Sequence, residues 1–149
     1  MITNITWDYY IADCYKLADL IKEKQLNNLP IISISRGGVL PGLIVSHQNE
    51  NPHIQVIGVH SYHDDKEIPE RKQKFKFTQT PTSIFPSVLI VDDLVDSGRT
   101  LDNVKEYFEN LKTYVYTAVL YSKFKDYKVD VKVQELDPKK WVIFPYEKG

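Results

Sequence analysis

Cysteine is all but missing from this chain. Cys14 is the single one in 149 residues, so no disulfide can close within the chain and a reducing, cytoplasmic setting is expected. Long apolar runs are missing too: none approaches the roughly 20 residues that cross a bilayer as a helix, and no membrane span is expected. Residues 1–10 carry no basic stretch followed by an apolar one, so no signal peptide is expected there. Neither sign of charge is in excess. The formal net charge of −1 provides no overall attraction to nucleic acid or to an anionic membrane. His47, His53, His60 and His63 show no metal-ligand spacing with cysteine, and zinc is not expected.

What is present is the composition of an ordinary globular chain, 42% hydrophobic and 26% charged, long enough to bury a core and expected to form one domain over 1–149. The chain is organised around VLIVDDLVDSGRT, Val88 to Thr100. Its four apolar residues Val88 to Val91 read as a buried parallel strand. Asp92 and Asp93 then fall at the strand's carboxyl end, where open α/β sheets bind ligands. Asp96-Ser97-Gly98-Arg99-Thr100 is a small-residue loop that feeds a helix beginning at Leu101. Free backbone N–H groups and the positive end of a helix dipole suit a phosphate monoester. Acids for a sugar or a metal beside a phosphate cradle indicate a sugar-phosphate site.

Elsewhere the patterns alternate between helix and strand. Apolar residues from Trp7 through Tyr10, Ile11, Cys14, Leu17, Ala18 and Ile21 recur at helical spacing, which predicts a helix over 7–24 with Thr6 as N-cap and Cys14 in the core. Ile31–Ile34 is expected to be the first parallel strand. It runs into Ser35-Arg36-Gly37-Gly38 and then a short helix to about Gln48 with Pro41 near its start. An Arg beside paired glycines is a reasonable pyrophosphate clamp, because glycine lets the backbone approach a ligand closely. Residues 54–59 read as a second parallel strand, followed by a charged segment with no sustained apolar period, expected to be a mobile loop over 62–76. Phe77 to Pro86 reads as a connection. A helix follows from Leu101 to about Lys112, then a strand over 114–121 ending at Ser122-Lys123, a short strand over 129–133, and an apolar piece, Trp141–Phe144.

Val88–Thr100 also resembles, without a break, the signature of the type I phosphoribosyltransferases, which transfer ribose 5-phosphate from phosphoribosyl pyrophosphate (PRPP) to a nitrogenous base. SRGGVLPG, the Ser61-Tyr62 pair, Lys123 and KWVIFPYE extend the resemblance to the bacterial xanthine-guanine (6-oxopurine) branch. It implies the α/β fold of that family: a central mostly parallel sheet flanked by helices, with a mobile active-site loop at 62–76 and a small C-terminal base-binding hood at 122–149. It implies PRPP binding by Arg36, Gly37, Asp92, Asp93, Asp96, Ser97, Gly98, Arg99 and Thr100. The implied cofactor is Mg²⁺, with Asp93 as its contact, and the implied general base is Asp96. Arg71, Lys72 and Lys74 are candidates to meet pyrophosphate when the loop closes. Lys123 would contact the purine 6-oxo group, Trp141 would stack on the base, and the Val142 backbone would meet its pyrimidine edge. A homodimer or homotetramer is implied by the same analogy.

The resemblance is not complete near the 2-position of the base. Ile143 stands where the family often has an acid, Tyr146 replaces a second Trp, and Glu147 stands where Asp can occur. Two other readings stay open: a PRPP-sensing regulator on the same fold, and a phosphoribosyltransferase for a different base. Lys123 and Trp141, which a pure sensor would not need, favour the purine enzyme.

Overall fold

A computed structural model describes residues 2–62 and 74–147. In chain order the elements are β1 (Ile2–Asn4), α1 (Trp7–Glu23), β2 (Ile31–Ser35), α2 (Val39–Gln48), β3 (Ile54–Tyr62), β4 (Lys74–Gln79), β5 (Ser87–Val95), α3 (Arg99–Asn110), β6 (Tyr114–Ser122), β7 (Val131–Glu135) and β8 (Trp141–Ile143). Six strands form one sheet in the order β4-β3-β2-β5-β6-β7, and β1 pairs with β8 in a separate two-stranded ribbon. Among the described residues only the β3–β4 pair of the sheet is antiparallel. The expected α/β architecture, a mostly parallel sheet with helices packed against it, is the one observed.

The sequence of β5 explains why it lies at the centre. Alternate side chains of a strand face opposite sides of the sheet, and here both sides are covered. Leu89 and Val91 join one core with Tyr10, Cys14 and Leu17 of α1, while Val88 and Ile90 join the other with Leu101, Val104 and Phe108 of α3. An unbroken apolar run is what a strand buried on both faces requires. Each large side chain buried this way contributes roughly 1.5–3 kcal/mol.

Both long helices follow their local chemistry. Thr6 caps α1, its Oγ1 accepting the Tyr9 N–H at 3.3 Å, and Asp8 lies in the first turn near the positive end of the helix dipole. Cys14 is fully buried, as expected. On α3 the buried residues Leu101, Val104 and Phe108 keep the helical period. A polar bridge also crosses the α1 core: Tyr121 Oη donates to Asp13 Oδ2 at 2.6 Å and Gln134 Nε2 donates to the same oxygen at 3.1 Å.

Several boundaries differ from expectation: α3 spans Arg99–Asn110 and β7 Val131–Glu135, each shifted by two residues, and other strands are extended by a partner. β5 does not stop before the acidic pair. Pairing of Asp92, Leu94 and Val95 with Val119, Tyr121 and Ser122 carries the strand to Val95. The loop expected over 62–76 is shorter at both ends, since Tyr62 and residues 74–76 are strand, with Ser61 opposite Phe75 and Tyr62 opposite Lys74. Phe77 to Gln79, expected to be connection, also belongs to β4. Its ring stacks on Tyr107 with centroids 4.5 Å apart, which anchors β4 over α3. The remainder of the expected loop, with Arg71 and Lys72, lies outside the described residues.

Residues 122–147, within the expected hood at 122–149, divide between the central sheet and a separate ribbon. Ser122 closes β6, and β7 extends the central sheet by pairing with β6 from Ala118↔Val131 to Ser122↔Glu135. The segment from Trp141 is what stands apart, held by parallel pairing with β1 from Ile2↔Trp141 to Asn4↔Ile143. β1 carries no periodic signal in three residues, and no strand was expected there.

Candidate active site

Because β2, β5 and β6 run parallel, their carboxyl ends emerge on one side of the sheet. β2 leads away toward β3 and β5 toward β6, so the crevice between β2 and β5 is the point where strand order reverses. Such points are where open α/β sheets place ligands. Arg36-Gly37 follows β2, Asp96 follows β5, and Lys123 follows β6 with its N–H donating to the Val95 carbonyl at 2.8 Å. A cleft of about 850 Å³ opens here, within the size range of small-molecule sites. One wall consists of Arg36, Gly37, Val39 and Leu40, the middle of Asp93, Leu94, Asp96 and Lys123, and the far wall of Trp141, Val142, Phe144, Tyr146 and Glu147.

The acidic pair divides along the strand's alternation. Asp93 faces the cleft, whereas Asp92 is buried and its Oδ1 accepts the Asp93 N–H at 2.8 Å. Burial, and then the neighbouring charge of Asp93, hold the Asp92 carboxyl well above the usual carboxylate range. Burial also raises Asp93, opposed by the hydroxyl of Tyr146, which donates to Asp93 Oδ2 at 2.8 Å. Gly37 packs against this carboxylate so closely that a Cβ there would overlap it. The Ser35–Arg36 peptide bond is cis.

The loop after β5 begins α3. Gly98 has φ of 86°, the left-handed region that glycine enters without strain, and the Tyr127 ring lies where its Cβ would be. Ser97 Oγ accepts the Arg99 N–H at 3.4 Å. The Arg99 guanidinium sits over the Phe75 ring, 5.2 Å from its centroid, so its side chain turns toward β4. Only the backbone of Arg99 is part of the helix start.

Seven of the residues singled out from sequence therefore meet in one cleft: Arg36, Gly37, Asp93, Asp96, Lys123, Trp141 and Val142. Asp92 lies behind it, and Ser97, Gly98, Arg99 and Thr100 do not line it. They form the adjoining turn into α3. Trp141 is 69% exposed, a face open to a flat partner, while Val142 is buried. Tyr146, expected from sequence only as a replacement for a second Trp near the 2-position of the base, is the hydrogen-bond partner of Asp93. An aromatic two residues past the expected apolar piece Trp141–Phe144 carries no local sign that it reaches back to β5.

Among the described residues no group of three or more His, Cys, Asp or Glu side chains is placed to hold a metal ion. The donors present are carboxylates without imidazole or thiolate, which suits a hard cation that completes its shell with substrate oxygens and water. The apolar wall beside paired acids, Arg36 and Lys123 fits a flat heterocycle next to an anionic, hydroxylated group.

Residues 8–147 match the family model of the phosphoribosyl transferase domain. The chain belongs to the phosphoribosyltransferase family. It is 29% identical to the xanthine-guanine phosphoribosyltransferase of Roseobacter denitrificans, over 97% of this chain and 84% of that protein. It is 27% identical to the enzyme of the same name from Ruegeria sp. strain TM1040, with the same coverage. The purine phosphoribosyltransferase structure from Pyrococcus horikoshii superimposes with a TM-score of 0.83 at 28% identity, covering 99% of this chain and 94% of that one. The Pyrococcus structure thus shares the fold over nearly the whole chain. No helix among the described residues is long and apolar enough to cross a membrane.

Proposed function

We propose that this phosphoribosyltransferase transfers the 5-phosphoribosyl group of PRPP to N9 of a 6-oxopurine, forming the nucleoside 5'-monophosphate and pyrophosphate. The observation that carries it is the meeting of Arg36-Gly37, Asp93, Asp96, Lys123 and Trp141 around one cleft. In this reading Asp92 and Asp93 serve the ribose hydroxyls, and the turn from Asp96 to Thr100 receives the 5-phosphate on backbone N–H groups and the Ser97 and Thr100 hydroxyls. Arg36 and the Gly37 backbone hold pyrophosphate. Asp93 would hold Mg²⁺, which supplies charge neutralisation at the leaving pyrophosphate.

Asp96 takes the proton from N7 as N9 attacks. Its exposed carboxylate is free to approach the base. Lys123 donates to the 6-oxo group. Trp141 stacks on the ring, an interaction worth roughly 1–3 kcal/mol per base, and the Val142 carbonyl accepts from the pyrimidine edge. A cytoplasmic location, with the lone Cys14 reduced and buried, and a homodimer or homotetramer complete the proposal.

A PRPP-sensing regulator would need the sugar-phosphate half alone. Against it stands Lys123, whose side chain is only 9% exposed and is aimed toward Asp96. Burying an ammonium group has a cost that an unused residue would not carry. The test is an assay of the purified protein with PRPP, Mg²⁺ and a panel of purine and pyrimidine bases. Turnover of guanine or hypoxanthine is expected. Turnover confined to adenine or a pyrimidine would redirect the base assignment, and no turnover of any base would end the enzyme reading.

A further inference from the structure

Asp93 is held from two sides. Its Oδ2 accepts the Tyr146 hydroxyl at 2.8 Å, and the same oxygen is the nearest neighbour of the space beside Gly37, where even a methyl group would overlap it. Little room is left at Oδ2 for a third partner. Tyr146 is itself part of a packed unit: its ring stacks on Phe144 at 5.5 Å and 12°, and meets the Tyr10 ring edge-on at 5.8 Å. Phe144 and Tyr10 are both buried. The turn is closed by Glu147, whose Oε1 accepts the Phe144 N–H and whose N–H donates to the Phe144 carbonyl, each at 3.0 Å. β8, the strand that carries Trp141, ends immediately before Phe144. One hydroxyl thus links the wall that offers a stacking face to the carboxylate at the centre of the cleft.

We propose that Tyr146 is a positioning residue that couples the two halves of the cleft: its hydroxyl holds Asp93 while the sugar-phosphate half is empty and is displaced when a ribose hydroxyl or cation-bound water takes Oδ2. The displacement passes through the Phe144–Glu147 turn to Trp141. The proposal rests on the phosphoribosyl-transfer reading, since it takes PRPP as the competitor. A carboxylate oxygen accepts a limited number of hydrogen bonds, and at Oδ2 the Gly37 backbone already removes one approach. Tyr146 is therefore a competitor of the ligand for Asp93, and its hydroxyl opposes PRPP binding.

Direct binding of PRPP with Mg²⁺ to Tyr146→Phe tests this, because the variant keeps both ring contacts and removes only the donor. The variant should bind roughly three- to tenfold more tightly than the parent, the range covered by one hydrogen bond of ordinary net worth. A merely structural role for Tyr146 would weaken binding or leave it unchanged. Tyr146→Leu, which also lacks the hydroxyl, should shift affinity in the same direction and guards against an effect peculiar to phenylalanine.

The second readout is Trp141 fluorescence. The chain has two tryptophans, so Trp7→Phe leaves Trp141 as the reporter. PRPP with Mg²⁺ should change its emission, and adding Tyr146→Phe should abolish most of that change. Equal or weaker binding by both Tyr146 variants overturns the proposal, and so does tighter binding with the Trp141 response intact. If the parent protein binds no PRPP, the phosphoribosyl-transfer reading itself fails, an outcome separate from a parent that binds PRPP as tightly as Tyr146→Phe does.

Discussion

Lys123 Nζ stands 3.9 Å from Asp96 Oδ1, with the lysine side chain 9% exposed and the aspartate 73% exposed. A nearly buried cation thus lies beside an open carboxylate, and the two come from the ends of neighbouring parallel strands. At that distance the ion pair is loose, and both groups line the cleft, where a ligand can reach each of them.

Removing the Asp96 charge should separate binding from chemistry. Asp96→Asn keeps the shape of the loop before α3 and is expected to bind PRPP as the parent does. Its turnover should fall by about 10²–10⁴, the worth of a typical general base. Steady-state kinetics with guanine, together with calorimetric titration of PRPP, checks both halves. Unchanged turnover would remove Asp96 from the mechanism.

Gly37 should tolerate no side chain. The overlap of its Cβ position with Asp93 predicts that Gly37→Ala displaces either that carboxylate or the Arg36-Gly37 backbone. PRPP affinity should drop by roughly tenfold or more, the scale of one lost charge-assisted hydrogen bond. Calorimetric titration with PRPP and Mg²⁺ measures it. Parent-like affinity in a folded Gly37→Ala protein would show that this close approach has no role in binding.

The acidic pair should make stability fall as pH rises. Burial raises the Asp92 carboxyl in the folded protein well above its ordinary value, and the Asp93 charge adds to the effect. An acid raised on folding binds more protons folded than unfolded, so its burden is absent below the unfolded pKa of about 4 and grows as pH climbs toward the folded one. Asp92→Asn retains an oxygen for the Asp93 N–H and lacks the titration. In metal-free buffer it should melt at a higher temperature than the parent at pH 7, with the difference closing toward pH 4. The scale is about 2–4 °C for each kcal/mol in a chain of this size. A difference independent of pH would refute the assignment.

The bridge behind the cleft is a matter of stability. Tyr121→Phe deletes the donor at 2.6 Å from Asp13 Oδ2 and leaves that carboxylate with Gln134. A buried acceptor that loses a partner costs about 1–3 kcal/mol. Urea denaturation should show that loss, and parent-like stability would mean that water replaces the phenol.

Much of this molecule is legible in the linear chain because its signals are local. Thr6 marks the start of α1 by capping chemistry, four consecutive apolar residues mark β5 because both its faces are buried, and the turn from Asp96 to Thr100 combines a small-residue loop with a helix start. Residues 88–100 already specify an acidic strand end beside an anion cradle, since one strand–turn–helix unit contains both. The division of Asp92 from Asp93, one behind the cleft and one in it, follows from the two-residue period of that same strand.

Tertiary structure decided what depends on residues far apart. β5 runs on to Val95 because β6 offers partners to Asp92, Leu94 and Val95. β7 joins the central sheet, and β1 finds β8 across the length of the chain. The Arg99 guanidinium lies over Phe75, and Tyr146 reaches Asp93 from 53 positions away. Hydrogen bonds and ring contacts of this kind have no period and no fixed spacing. They exist only once the sheet has brought the strand ends to one side, and that assembly, more than any one motif, turns the stretch from Val88 to Thr100 into half of a two-sided cleft.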